Sequence, residues 1–183
     1  MTTNLASRRA ALTLSLLVST GVAACGAAGD WFPSDVDEAK SLAADTQAVG
    51  RVCDAFADWV YDQYRDSLAV EIACTASGIE QSADAAACGA FVRDCIDDPP
   101  AEVAAAADAL IAAVGCGAIS YQPSGCGQTI SDLRICLDDV SVELDQLRYT
   151  VECTAAGQPL SPAALTIDVP ASCLAIENAC PTP

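Results

Sequence analysis

Two residue types carry most of the reactive potential of this chain: twenty-five carboxylates and eleven cysteines, with no histidine anywhere. Lacking an imidazole, the chain has no commonest general base, no Ser-His-Asp arrangement and none of the usual zinc or copper sites. A pair of carboxylates flanking a cleft can hydrolyse a glycosidic bond without histidine, but the acids are scattered and no pair stands out. Asp97-Asp98 and Asp138-Asp139 are acidic enough for calcium, yet neither has the alternating ligand spacing and glycine of a calcium loop. Asp98, just before Pro99, reads as a helix cap. No serine lies in a G-x-S-x-G elbow. No C-x-x-C occurs, so neither a thioredoxin-type pair nor a zinc ribbon is offered. Asp-Gln-x-Arg occurs at 62–65 and again at 145–148; its arginines, Arg65 and Arg148, read as partners of nearby acids on helix surfaces. Trp59, Tyr61 and Tyr64 read as core packing, with a sugar or peptide platform as the sharper alternative.

These residues must be positioned by helices. Leu42, Val49, Val52, Phe56, Val60 and Tyr64 recur at spacings near three, four and seven, which is one helix face. Ser34 is the expected N-cap and Gly78 the stop, with the pattern blurring near Ser67. Cys88, Phe91 and Cys95 share a face on a second segment, and Asp97-Asp98-Pro99-Pro100 ends it and starts the next. Val103, Ala107, Leu110 and Val114 form another stripe, closed by Gly115. Cys116 to Gly127 reads as a loop. Thr129, with Asp132 three residues later, caps the clearest helix, whose face runs Leu133, Leu137, Val140, Leu144, Leu147, Val151; Gly157 is its stop. Cys173 to Cys180 is a last short helix after a proline-rich stretch. The expectation is helices near 36–66, 86–95, 101–114, 130–153 and 171–179, and no sheet.

The amino terminus has a different composition. Arg8 and Arg9 precede an apolar run from Ala10 to Val22 that is too short to span a bilayer as a permanent helix. Val22-Ala23-Ala24-Cys25 follows, placing small residues directly before a cysteine. This segment resembles the signal and lipobox of bacterial lipoproteins. The resemblance implies cleavage before Cys25, diacylglycerol on its thiol and acylation of the new amine. Ser7-Arg8-Arg9-Ala10-Ala11-Leu12 is also similar to the twin-arginine export motif, except that Ala11 stands where phenylalanine is usual. An ordinary secretory signal, with Cys25 in a disulfide, is the other reading of the same residues. The domain plan is a signal peptide over 1–24, a flexible tether over 25–34 and a helical domain over 35–183.

With Cys25 assigned to lipid, ten cysteines remain, an even number in an exported chain, which predicts five disulfides. Cys116 and Cys126 are expected to staple the loop between them. An internal duplication suggests the rest. Asp62-Gln63-Tyr64-Arg65 matches Asp145-Gln146-Leu147-Arg148, Cys74 to Gly78 matches Cys153 to Gly157, and each half closes with cysteines seven apart. Against it, Phe56 falls on Asp139 and Val60 on Glu143, so the buried faces disagree. If the halves are duplicates, the expected pairing is nested within each: Cys74–Cys88 and Cys53–Cys95, then Cys153–Cys173 and Cys136–Cys180.

Beyond the signal, six cations face twenty-five acids, a net charge of −19 over 159 residues. Such a surface repels nucleic acid and anionic lipid, and nucleic-acid binding is excluded. The reading is an all-α, disulfide-stapled helical bundle, with two duplicated halves if the repeat holds. It is expected to need no cofactor and no metal, and to meet the membrane through lipid on Cys25. The chain resembles the small Ala- and Asp-rich lipoproteins of high-GC Gram-negative bacteria. The leading expectation is a non-enzymatic structural or binding module of the cell envelope, with an envelope protein or glycan as partner; the alternative is a carboxylate-dependent glycan hydrolase.

Overall fold

A computed structural model describes residues 31–114, 116, 126–160 and 165–180. Six α-helices order them: α1 (Thr46–Tyr64), α2 (Val70–Gln81), α3 (Ala85–Asp97), α4 (Ala101–Val114), α5 (Ile130–Leu147) and α6 (Ala171–Ala179). A π-helical turn, Arg65–Ala69, joins α1 to α2, and Cys153–Ala155 forms a 3-10 turn. Among the described residues there is no strand, only an isolated bridge between Ser41 and Thr129. The fold is all-α and disulfide-stapled, as the hydrophobic spacing requires. No helix of the described residues is long and apolar enough to cross a membrane.

The cap of the first helix lies eleven residues later than the expected Ser34, because Asp45 takes that role and accepts the Ala48 N–H at 2.9 Å. A hydrogen bond from Lys40 and the one from Ala48 hold the Asp45 carboxyl below the usual carboxylate range. The residues before it are turns, pinned by Leu42 N–H to the Gln128 carbonyl and Ile130 N–H to the Lys40 carbonyl, both at 2.9 Å. The blurred pattern at Ser67 is the π turn. Val60, Leu68 and Ile72 stay buried across it, because the wider i→i+5 turn lets the apolar face advance in steps of four. Two residues expected in the tether over 25–34, Trp31 and Phe32, are 7% and 8% exposed and belong to the core, while residues 25–30 lie outside the described residues. Helix α5 carries the predicted cap as a full capping box between Thr129 and Asp132.

Two glycines expected to stop helices do something else. Gly78 lies inside α2, where a Cβ would meet Cys88 Sγ, Phe91 and Val92 at 3.1, 3.2 and 3.3 Å. It permits close approach of α3. Helix α5 ends at Leu147, well before Gly157, which occupies a left-handed turn at φ +82° and donates its N–H to the Ile79 carbonyl. The expected stop at Gly115 lies outside the described residues.

All ten cysteines after Cys25 are disulfide-bonded, but none of the five expected pairings occurs. The bonds are Cys53–Cys116, Cys74–Cys95, Cys88–Cys153, Cys126–Cys180 and Cys136–Cys173. Helix packing explains each correction. Helices α2 and α3 form a tight hairpin, so Cys74 lies level with Cys95 rather than Cys88, which sits near the turn and reaches Cys153 in the 3-10 turn. Cys116 leaves the end of α4 beside Cys53 on α1, not beside Cys126. Along α5, α6 runs so that Cys173 meets Cys136 and Cys180 meets Cys126. The nested pairs Cys53–Cys95, Cys153–Cys173 and Cys136–Cys180 are ruled out by the same packing.

The duplication is not mirrored either. Cys74–Gly78 is α-helical, whereas Cys153–Gly157 is a 3-10 turn followed by a left-handed glycine, and the Cys88–Cys153 disulfide runs between the halves. Five disulfides at this density place the fold in an oxidising, extracytoplasmic setting.

Two outcomes follow. Mass spectrometry of an unreduced digest should yield Cys53–Cys116 and Cys88–Cys153 peptides and no Cys116–Cys126 peptide; finding the last would contradict the packing. Glycine substitutions should split in sign. Gly50 is exposed in α1 with no atom within 4 Å of a new Cβ, so Gly50→Ala should add about 0.5–1 kcal/mol of stability. Gly78→Val should cost roughly 1–3 kcal/mol by overpacking the α2–α3 contact. Urea denaturation midpoints that moved the same way would contradict this.

Candidate binding groove

Two of the acids singled out by sequence, Asp138 and Asp139, act as structural acceptors. Asp138 accepts the Trp31 indole N–H at 2.9 Å and lies 3.8 Å from Arg134. Asp139 accepts the Ser172 hydroxyl at 2.6 Å, tying α5 to α6. Asp97 and Asp98 are exposed where α3 ends. Among the described residues no group of three or more cysteines or acids is placed to hold a metal. Arg65 pairs with neighbouring Asp66 and also crosses to Asp108 on α4 at 2.9 Å, while Arg148 reaches Glu71 on α2 at 3.3 Å. These arginines thus hold separate helices together, beyond the local pairing that their sequence spacing suggests. The Asp108 and Asp66 carboxylates raise the Arg65 pKa further, keeping it charged.

The aromatic run is a clamp. Trp31 stacks edge-on to Phe56 at 5.0 Å, Phe56 lies 5.9 Å from Trp59, and Trp59 lies 5.7 Å from Tyr64. The Tyr64 hydroxyl points to Asp145 at 3.5 Å, and partial burial together with that carboxylate raises its pKa. Phe32 lies under the Arg134 guanidinium at 4.9 Å, with Arg134 also held by Glu38 at 2.7 Å. The N-terminal segment is thereby wedged between α1 and α5. Tyr61, half exposed, stands apart from this ladder, so the three aromatics do not form one flat platform.

One concavity among the described residues was not legible in the sequence. A groove of about 460 Å³ runs between α2 and α4. Ala73 and Ala76 line it from α2, and Ala106, Ala109 and Ala113 from α4, with Leu110, Leu160 and Leu165 as walls. The α4 alanines repeat at helical spacing, so one small-residue face of α4 is turned outward. Apart from Ser77, the polar side chains lining the groove are Glu80, near the end of α2, and Glu102, in the first turn of α4. A second hollow of about 110 Å³ shares Ala113 and continues along Ile167, Val169 and Pro170 toward α5 and α6. Glycan recognition depends on many hydrogen-bonding groups around the sugar; this lining instead suits an apolar ligand. Glutamate at the start of α4 is also favoured by the helix dipole. The signal that could have revealed the groove is the 106, 109, 113 alanine spacing, but alanine at those positions reads equally as ordinary helix filler.

Comparison of the chain with protein-family models, with curated proteins and with solved structures yields no match.

If the aromatic ladder is a clamp, Trp31→Ala should lower stability by about 3–5 kcal/mol, as for other buried aromatic truncations. Tyr61→Ala, at an exposed position, should stay within about 0.5 kcal/mol. Equal losses in chemical denaturation would show that Trp31 is not a packing anchor.

Proposed function

We propose that the chain is the precursor of an exported, lipid-anchored cell-envelope protein whose helical domain works as a structural or binding module rather than as an enzyme. One observation supports the anchor most directly. The ten cysteines after Cys25 satisfy one another, so Cys25 has no cysteine left to pair with inside the chain. A lone thiol following Val22-Ala23-Ala24 and a basic-apolar leader is what lipid attachment uses. The alternative, an ordinary secretory signal with Cys25 in a disulfide, would need a cysteine from another chain.

The packing of Trp31 adds a distance. An extended chain spans roughly 3.5 Å per residue, so the stretch from Cys25 to Trp31 holds the domain within about 20 Å of its lipid. A module held this close to the membrane surface, closed by five disulfides and bearing an apolar groove, is suited to holding a partner in place.

The test is metabolic labelling with a tagged fatty acid in a bacterial host. The wild-type chain should carry label and be cleaved before Cys25. Cys25→Ser should lose the label and keep its leader. Label retained in that variant, or a mature terminus elsewhere, would overturn the lipid-anchor reading.

A further inference from the structure

We infer that this chain reaches its native pairing only with an external thiol–disulfide isomerase, and that Cys88–Cys153 is the bond completed last. None of the five bonds joins cysteines that are neighbours in the sequence. Cys53 skips three cysteines to reach Cys116, Cys74 skips one to reach Cys95, and Cys88 skips four to reach Cys153. Cys126 skips three to reach Cys180, and Cys136 skips one to reach Cys173. Four of the bonds form two nested sets: Cys74–Cys95 lies within the Cys53–Cys116 loop, and Cys136–Cys173 within the Cys126–Cys180 loop. Cys88–Cys153 crosses all four, because one of its cysteines falls inside each of those loops and the other outside.

Chain statistics oppose this pattern. Loop closure grows costlier with length, so in an unfolded chain Cys88 meets Cys95, seven residues away, roughly 30-fold more often than Cys153, 65 away. Cys173 with Cys180 and Cys116 with Cys126 are favoured in the same way. Such bonds also block the fold. Along α3, Cys88 and Cys95 stand about 10 Å apart, beyond the roughly 7 Å between Cα atoms that a disulfide can bridge. A chain that makes these bonds must unmake them, and that takes a thiolate. Ten cysteines closed into five wrong bonds leave none, and Cys25 offers none under the lipid-anchor reading on which this step rests. The thiolate therefore comes from a dithiol catalyst outside the chain.

Burial sets where that catalyst acts last. Cys88 is fully buried beside Gly78, whereas Cys153 is partly exposed on a 3-10 turn that buries nothing of its own. The catalyst thiolate attacks Sγ of Cys153 in a wrong bond, expels the other cysteine as a thiolate and forms a mixed disulfide. The Cys88 thiolate then attacks the same Sγ, forms Cys88–Cys153 and returns the catalyst thiolate. Isomerisation moves no net electrons. A separate protein disulfide makes the bonds in the first place, taking up the electrons and protons of the thiols.

The experiment refolds the exported protein. Iodoacetamide is applied to the native, oxidised chain first, which caps Cys25 if it carries no lipid. The chain is then fully reduced in urea with mild detergent and diluted into an oxidising Cys-x-x-Cys protein, alone or with a reduced isomerase. Mass spectrometry of unreduced digests follows the pairs over time. Oxidant alone should give Cys88–Cys95, Cys116–Cys126 and Cys173–Cys180 peptides, and at least about tenfold less Cys88–Cys153 peptide than the isomerase arm. In that arm Cys88 and Cys153 should be the last thiols to become protected from alkylation. Cys88→Ala with Cys153→Ala leaves only nested bonds and should cut the isomerase gain several-fold; the order of protection in the wild type tests the same point if the variant does not fold. Equal native yields in the two arms would show that the helices align their cysteines before oxidation, and would overturn the proposal. Early closure of Cys88–Cys153, or an undiminished gain in the folded double variant, would overturn its place as the last bond. Capping makes the result independent of lipid on Cys25, so failure here and failure of the labelling test are distinct.

Discussion

Three disulfides that close long loops do what the apolar core alone does weakly in this domain. Cys53–Cys116, Cys88–Cys153 and Cys126–Cys180 span 63, 65 and 54 residues. In the chain-entropy model each such closure disfavours the unfolded chain by about 4 kcal/mol. The segments they fasten are those with the least apolar area to bury. Helix α4 sinks Val103, Ala107, Ile111 and Val114 but is otherwise mostly alanine, and Cys116 fixes its end to α1. The 3-10 turn at Cys153–Ala155 has no buried residue of its own and is held to α3 through Cys88. Short helix α6 buries only Cys173 and Ile176, and both Cys173 and the capping Cys180 are bonded.

Covalent fastening has a consequence for the surface. A helix held mainly by its own hydrophobic face must turn nearly all its apolar side chains inward. With Cys116 holding α4 to α1 and Arg65 reaching Asp108, the opposite face of α4 is free to carry alanines outward beside α2. Leu160 and Leu165, within the proline-rich stretch, pack against the edge of the core and wall the groove. The groove is a product of this division of labour between crosslinks and packing.

The segment from Trp31 to Val36 shows how polar and aromatic contacts cooperate in docking turns onto helices. Trp31 buries its ring against Phe56 and satisfies its indole N–H on Asp138, which avoids leaving a buried donor unpaired. Phe32 and Val36 follow into the core, and Arg134 covers Phe32 while bonding Glu38. Trp31, Phe32 and Val36 therefore belong to the packed core.

The sequence by itself determined the helical class, the stretches 101–114 and 171–179, the capping box at Thr129 and the oxidation of all ten cysteines. Each of these is local: periodicity, a cap spacing, or an even count of cysteines. What it did not determine depends on which surfaces meet. Disulfide partners are set by how helices lie side by side, and chain order favoured the nearest cysteines and a repeat whose two copies adopt different backbones. Gly78 was legible as a small residue but not as the contact point of α3, because a glycine inside a helix and one ending it look alike in sequence. The groove was hidden for the same reason. Outward and inward alanines are chemically identical, and only the placement of α2, Leu160 and Leu165 around α4 makes one face of them a site.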